Sequence, residues 1–290
     1  LFWKGHPGRP ARLAIGALLV LGLAAFFLAG QPAGARSLFN GMIATDGFAT
    51  FFKWLFLLAA GLTVLISAPG KDFPPARIGE FYALMTAMLL GLFLMASATD
   101  LLMVYLSIEL VSLCSYVLAG FKKGDRRAAE ASLKYVIYGA VSSGLMLYGI
   151  SILYGLTGAV DIYGVNRALM AGGVNPIALV IAGVLIIAGF GYKISAVPFH
   201  MWTPDVYQGA PTPTAAFLAV GSKAAGFVLL LRFLFSAIPE VTAHWTNLLI
   251  IISGVTILYG NLCAIPQRNL KRLLGYSSIA HAGYLLLGVA

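Results

Sequence analysis

Five side chains able to carry or pass a proton stand in stretches too apolar to face water. Glu109 lies in LLMVYLSIELVSLCSYVLAG, Lys134 in EASLKY, Lys193 and His200 in YKISAVPFHMWTP, and Lys223 in GSKAAG. A charge at the centre of a membrane span costs about 2.5–3.5 kcal/mol on insertion scales, so such residues face protein or water and mark ion or proton pathways. A carboxylate and a lysine that face each other in low dielectric keep each other charged, and losing one shifts the pKa of the other. His200 can pass protons between neighbours, because its unperturbed pKa lies near neutrality. For His281, in SSIAHAGYLLLG, a hydrogen-bonded core role and a functional one both stand open.

The stretch Gly189–Gly226 gathers Lys193, His200, Asp205 and Lys223 with Pro198, Pro204, Pro211 and Pro213. Proline within a helix removes one N–H and crowds the carbonyl four residues back. Backbone groups freed at membrane depth survive only where protein or a water-filled cavity surrounds them. The expectation is a helix broken near Ser195–His200 beside buried charges, as in transporters. An ordinary span followed by a Pro-rich surface loop would account for Pro204–Pro213 but leaves Lys193 and Lys223 unexplained.

The elements that must hold these groups are membrane helices. Hydrophobic residues make up 60% of the 290 positions and charged residues 10%, with mean hydropathy +0.91, far from a soluble domain with about a quarter of its residues charged. A span needs about 20 mostly apolar residues to cross about 30 Å. Nine segments qualify: Leu13–Gly30, Ala49–Ser67, Phe81–Ala98, Leu101–Gly120, Ala128–Leu156, Ile177–Trp202 with its break, Thr214–Phe235, Trp245–Ile265, and Leu273 to the end. The fold class is an all-α polytopic bundle. Leu1–Arg12 reads as a loop without the pattern of a cleavable signal peptide, and the chain stops inside an apolar run, so the sequence reads as a piece at both ends.

Numbering the connections alternately puts Lys4, Arg9, Arg12, Lys71, Arg77, Lys122, Lys123, Arg126, Arg127, Arg268, Lys271 and Arg272 on one side, against Arg36 and Arg167 on the other. The first set faces the cytoplasm or its equivalent. That bias also accounts for the net charge of +9 without nucleic acid. The five remaining basic residues fall inside spans. Lys53 and Arg232, near outer ends, are expected to snorkel to the headgroups. Glu109 lies about 16 Å below the basic side and Lys134 about 9 Å below it on the next span, close enough in depth to pair. Lys223 lies about 15 Å in from Pro213.

Other chemistries find no support. Cys114 and Cys263 sit in apolar spans without metal-ligand spacing and read as packing residues. There is no CxxC pair, HExxH, GxSxG elbow or Gly-rich phosphate loop, and no haem or flavin site is suggested.

SIELVSL, EASLKY, YKISAVPFHMWTPDVYQGAPTP, GSKAAG and NLKRLLGYSSIAHAGYLLLG together resemble the subunit N family of the proton-pumping NADH:quinone oxidoreductase, respiratory complex I. The likeness runs from about Leu101 to the end and is most specific across Lys193–Pro213. These antiporter-like subunits, similar to Mrp-type cation/proton antiporters, have fourteen helices in which two inverted five-helix bundles each hold a broken helix. The resemblance implies that Glu109 and Lys193 are the paired carboxylate and lysine of a first half-channel. It makes Lys134 a nearby helix lysine, and Lys223 the lysine that passes charge towards the second half. It divides the chain into N-terminal helices (1–100), a first half-channel bundle (101–235) and the start of a second half (236–290). The second half's own broken helix and lysine have no counterpart here. The resemblance implies no cofactor or metal in this chain, with NADH, FMN, iron–sulfur clusters and quinone held by partner subunits. It also implies other antiporter-like and small multi-span membrane subunits as partners, and a bacterial inner (plasma) membrane location. A stand-alone or Mrp-type antiporter is the alternative from another class; a purely structural arm would leave the buried charges idle.

Overall fold

Four of the six aspartates cap helices, which leaves few carboxylates free for other work. The computed structural model describes residues 9–32, 34–69, 73–74 and 76–290, the side chains of residues 9 and 239–244 excepted. Lys4 and Lys71 of the basic set lie outside the described residues. Twelve helices follow in order: α1 (Arg9–Ala29), α2 (Gly47–Ser67), α3 (Ile78–Ser97), α4 (Leu101–Ala119), α5 (Arg126–Thr157), α6 (Ile162–Met170), α7 (Pro176–Ile194), α8 (Trp202–Gly209), α9 (Thr212–Phe217), α10 (Lys223–Ala237), α11 (Pro239–Ala264) and α12 (Leu270–Val289). A π-helical turn, Leu218–Ser222, joins α9 to α10. Asp46, Asp100, Asp125 and Asp161 each accept a backbone N–H of the first turn that follows them, and Asn175 and Asn269 do the same for α7 and α12. Orphan donors at helix starts are thereby satisfied.

The all-α expectation holds, with small departures. A hairpin pairs β1 (Arg36–Leu38) with β2 (Ile43–Thr45) in the first outer connection, Ser37 opposite Ala44. Helix α6 occupies the stretch expected to be a loop between the fifth and sixth spans. Helix α1 begins at Arg9, so residues 10–12 are helical rather than loop, with Pro10 in the first turn where its missing N–H costs nothing. Among the described residues eight helices are long and apolar enough to cross a membrane, not nine. The ninth, α12, has the length, but Lys271, Arg272, two serines and His281 dilute its hydropathy.

Hydrogen bonds confirm which connections share an end. Thr99 N–H donates to Met42 O at 3.0 Å, Leu101 N–H to Val160 O at 2.8 Å, and Ile162 N–H to Thr99 O at 3.1 Å. The hairpin and the α3–α4 and α5–α6 turns therefore meet at the end poor in basic residues. At the other end Lys271 Nζ donates to Ala210 O at 2.8 Å, and Arg272 reaches Asp205 and Gln208, which brings the α11–α12 turn onto the end of α8. Helices α3 and α4, α5 and α7, and α11 and α12 form the closest pairs, and α12 also packs on α8.

Candidate functional site

Helix α7 stops at Ile194 and helical backbone resumes only at Trp202, where the prolines and polar residues placed the break. Ser195 caps α7 in the left-handed region at φ 63°. The freed backbone is enclosed. Ala196 N–H returns to Gly191 O at 2.8 Å, and Val197 N–H donates to Thr256 Oγ1 of α11 at 3.0 Å. Thr203 Oγ1 donates to Ser195 Oγ across the gap at 2.8 Å. Trp202, stacked on Tyr135 with ring centroids 4.4 Å apart, donates to Tyr192 O at 3.0 Å. Within the break only Pro198 and Met201 are exposed.

Lys193, in the last turn of α7, is 2% exposed. Its ammonium donates to Ser112 Oγ on α4 at 3.2 Å. Ser112 is three residues beyond Glu109, so both project from one face of α4. Glu109 Oε1 is buried without a hydrogen-bond partner. Among the described residues no salt bridge closes between Glu109 and Lys193; Ser112 stands at the contact. Tyr116, seven residues past Glu109, continues this face. Gly139 makes room for its phenol, since a Cβ there would fall 1.8 Å from Tyr116 Oη.

Lys223 opens α10 directly after the π-helical turn, a backbone irregularity frequent at functional sites. It is 5% exposed and donates to Ser278 O at 2.9 Å and Ser278 Oγ at 2.6 Å on α12. Tyr207 of α8 meets Ser278 Oγ at 3.1 Å. A cavity of about 550 Å³ beside Lys223 is apolar except for Tyr207, Thr212, Lys271, Ser277, Ser278 and His281. His281 is thus at an exposed edge of the Lys223 cavity rather than in a closed core. One turn along α10, Gly226 brings the two lysines' helices together: a Cβ there would come within 3.2 Å of Lys193 Cγ.

Three expectations are corrected. Lys134 does not pair with Glu109. Its ammonium lies 2.7 Å from Asp205 Oδ2 of α8 and 2.6 Å from Glu130 Oε1 one turn back, because depth along a helix says nothing of the direction in which a side chain leaves it. His200 is not seen bridging Lys193 and Lys223. Both ring nitrogens are buried without a partner, and the ring packs edge-on against Tyr259 of α11 at 4.3 Å. Lys53 and Arg232 do not snorkel; each is 7% exposed. Arg232 forms a two-pronged pair with Asp46 at 2.8 and 3.0 Å.

Ser112, Ser278 and Tyr207 escaped the sequence reading, as did Asp46. Only Ser112 carried a signal, its three-residue spacing from Glu109. Asp205 stood out as a costly residue without an assigned task. It joins Lys134 of α5 and Arg272 of α12 beside a polar cavity of about 150 Å³ that Arg127, Glu130 and Gln208 also line. Among the described residues no three His, Cys, Asp or Glu side chains group closely enough for a metal ion.

Residues 98–290 match the family described as NADH:quinone oxidoreductase/Mrp antiporter, TM. The chain belongs to this family. An NADH-quinone oxidoreductase subunit N from Anaeromyxobacter sp. (strain Fw109-5) is 56% identical over all of this chain and 60% of its own length. A chain of respiratory complex I from Thermus thermophilus with bound Aureothin superposes with a TM-score of 0.80 at 36% identity, over 97% of this chain and 59% of that one. A chain of the Mrp complex from Dietzia sp. DQ12-45-1b, 19% identical, shares the fold with a TM-score of 0.82 over 97% of this chain and 54% of its own. The resemblance read from the motifs is borne out, and as an antiporter-like family member this is an integral multi-pass membrane protein. The chain spans about 60% of the length of the first of these relatives.

Proposed function

We propose that this chain carries the first half-channel (101–235) and the start of the second half (236–290) of a proton-translocating subunit N. The subunit works in the bacterial inner membrane within an NADH:quinone oxidoreductase. NADH oxidation and quinone reduction, with FMN and iron–sulfur clusters, belong to partner subunits, and other antiporter-like and small multi-span subunits adjoin it in the membrane.

The observation that carries the reading is the placing of Lys193. It is buried beside the break, its ammonium on Ser112 one turn from Glu109, its stem on Gly226 one turn from Lys223. A proton that reaches Glu109 neutralises the carboxylate whose field favours the Lys193 ammonium. Lys193 is then a cation in low dielectric with only a serine as acceptor, and it passes its proton on. Lys223, with two acceptors on Ser278, is the receiving group, and charge moves sideways along the membrane. His200 has no direct step in this relay.

An Mrp-type antiporter shares the fold, but the higher identity lies with the oxidoreductase relatives. Co-purification with flavin and iron–sulfur subunits supports the leading reading; activity without them favours the antiporter. Glu109→Gln and Lys193→Ala, each placed in the complete subunit at matched assembly, should depress both proton pumping and quinone reductase turnover in membrane vesicles. Wild-type pumping from both would overturn the relay.

A further inference from the structure

Ser278 is an ordinary residue by type, yet it is the point where the charge of Lys223 meets the broken helix. Lys223 Nζ reaches both its carbonyl (2.9 Å) and its hydroxyl (2.6 Å). The same hydroxyl lies 3.1 Å from Tyr207 Oη. Tyr207 is 3% exposed and belongs to α8, the limb that follows the break. Its ring also lies under the ammonium, 5.8 Å from Nζ to the centroid.

An ammonium can only donate, whereas a neutral amine has a lone pair and can accept. While Lys223 is charged, Ser278 Oγ must accept from it, and the serine hydrogen is free to turn to Tyr207 Oη. When Lys223 is neutral, the serine can donate to Nζ, and its oxygen is open to the Tyr207 hydrogen. The direction of the Ser278–Tyr207 hydrogen bond can therefore follow the protonation of Lys223. Asp205, two residues before Tyr207, ties the same short helix to Lys134 and Arg272, so a change felt at Tyr207 acts on an element anchored at the basic end.

We propose that Ser278 is a positioning residue that holds the Lys223 proton and transmits the charge state of Lys223 to α8 through Tyr207. The inference rests on the relay reading, in which Lys223 receives charge from Lys193. The other titratable or charged groups facing Lys223 are Lys271 and His281 of α12, across the cavity, and Lys193 of α7 behind Gly226. All three stay in place in the variants below.

The test measures quinone reductase turnover and proton pumping against pH in vesicles holding the assembled complex with the complete subunit, normalised to complex content. Ser278→Ala removes one of two acceptors. It should lower turnover several-fold and move the alkaline limb of the profile down by about one pH unit, the scale expected for one hydrogen bond to a charged group. Ser278→Thr keeps the hydroxyl and should restore both. Tyr207→Phe should lower turnover while leaving the limb in place, and adding it to Ser278→Ala should cost nothing further. A Ser278→Ala profile of wild-type shape, lowered or not, overturns the proposal when Lys223→Ala is impaired, and leaves the relay standing. Wild-type pumping from Lys223→Ala overturns both. Should Ser278→Ala fail to assemble, a Ser278→Thr or Tyr207→Phe enzyme departing from these expectations decides against it.

Discussion

Gly226 of α10 and Lys193 of α7 are in direct contact, and only a glycine permits it. A Cβ at position 226 would lie 3.2 Å from Lys193 Cγ and 2.9 Å from Ile194 Cγ2. The Ile194 methyl is on a branched side chain with little freedom to yield, so α7 and α10 must move apart if anything larger than hydrogen stands there. Overpacking of this kind costs about 1–3 kcal/mol.

Gly226→Ala should therefore assemble but pump poorly. A displacement on the order of 1 Å at a reacting group can cost up to about a hundredfold in rate, and the widened gap falls between the two lysines of the relay. Pumping and reductase turnover per complex are the measurements. An alanine variant with wild-type turnover would show that the spacing of Lys193 and Lys223 is not rate-determining.

Asp205 should matter more to α8 than either cation it binds. Without it, Lys134 keeps Glu130 at 2.6 Å and Arg272 keeps Gln208 at 3.2 Å, but α8 loses a tie to both α5 and α12. The groups are partly exposed, so the cost is about 1–2 kcal/mol rather than that of a fully buried pair. Hydrogen exchange across Trp202–Gly209 should rise in Asp205→Ala. Glu130→Ala, which removes only a pair within α5 worth about 0.5 kcal/mol or less, should leave α8 protected. Equal exchange in the two variants would remove Asp205 from the anchoring role.

What the sequence made legible was depth, and what it hid was direction. Pro198 and the charges near it were enough to find the break, because proline and burial both act locally along the chain. Counting at helical rise placed Glu109 and Lys134 at compatible depths but could not show that Lys134 leaves α5 towards α8. The same counting put Arg232 near an outer end, yet its partner Asp46 is 186 residues away, and a capping aspartate before a span gives no sign of a second task. The π-helical turn before Lys223 contains Gly221, but one glycine among the many scattered through the spans announces nothing. Ser278 was invisible for a plainer reason: serine is common in membrane helices, and only the arrival of Lys223 and Tyr207 makes this one distinctive.

Asp46 gives the outer end of the chain a defined acid limit. Its carboxyl stands just outside α2. Burial opposes its ionisation, but hydrogen bonds from Arg232 and from Ala49 N–H prevail and hold it below the ordinary 3.8. A lowered pKa means stability fully present above the ordinary value and lost as pH falls through the folded one. Asp46→Asn should lower thermal stability by about 1–2 kcal/mol at neutral pH, allowing for the quarter of Asp46 that is exposed. The gap from wild type should close as pH drops below 3.8. A difference that persists unchanged into acid would assign the effect to capping rather than to charge.

The last expectation separates two cations that the sequence treats alike. Lys53 and Arg232 are equally buried near Asp46, two positive charges beside one carboxylate. Arg232 takes both carboxylate oxygens, and among the described residues Lys53 is left with no hydrogen bond or salt bridge. Removing one member of a buried pair costs about 3–5 kcal/mol because the other stays charged and alone; the partial exposure of Asp46 brings this to roughly 2–3. Arg232→Met should therefore destabilise the subunit strongly. Lys53→Met deletes a cation left without a hydrogen bond or salt bridge among the described residues and supplies an apolar stem of similar length, so it should be neutral or stabilising. Thermal unfolding of the assembled complex in detergent, read for this subunit, gives the two signs directly. If Lys53→Met proved as destabilising as Arg232→Met, Lys53 would have a partner in the assembled complex.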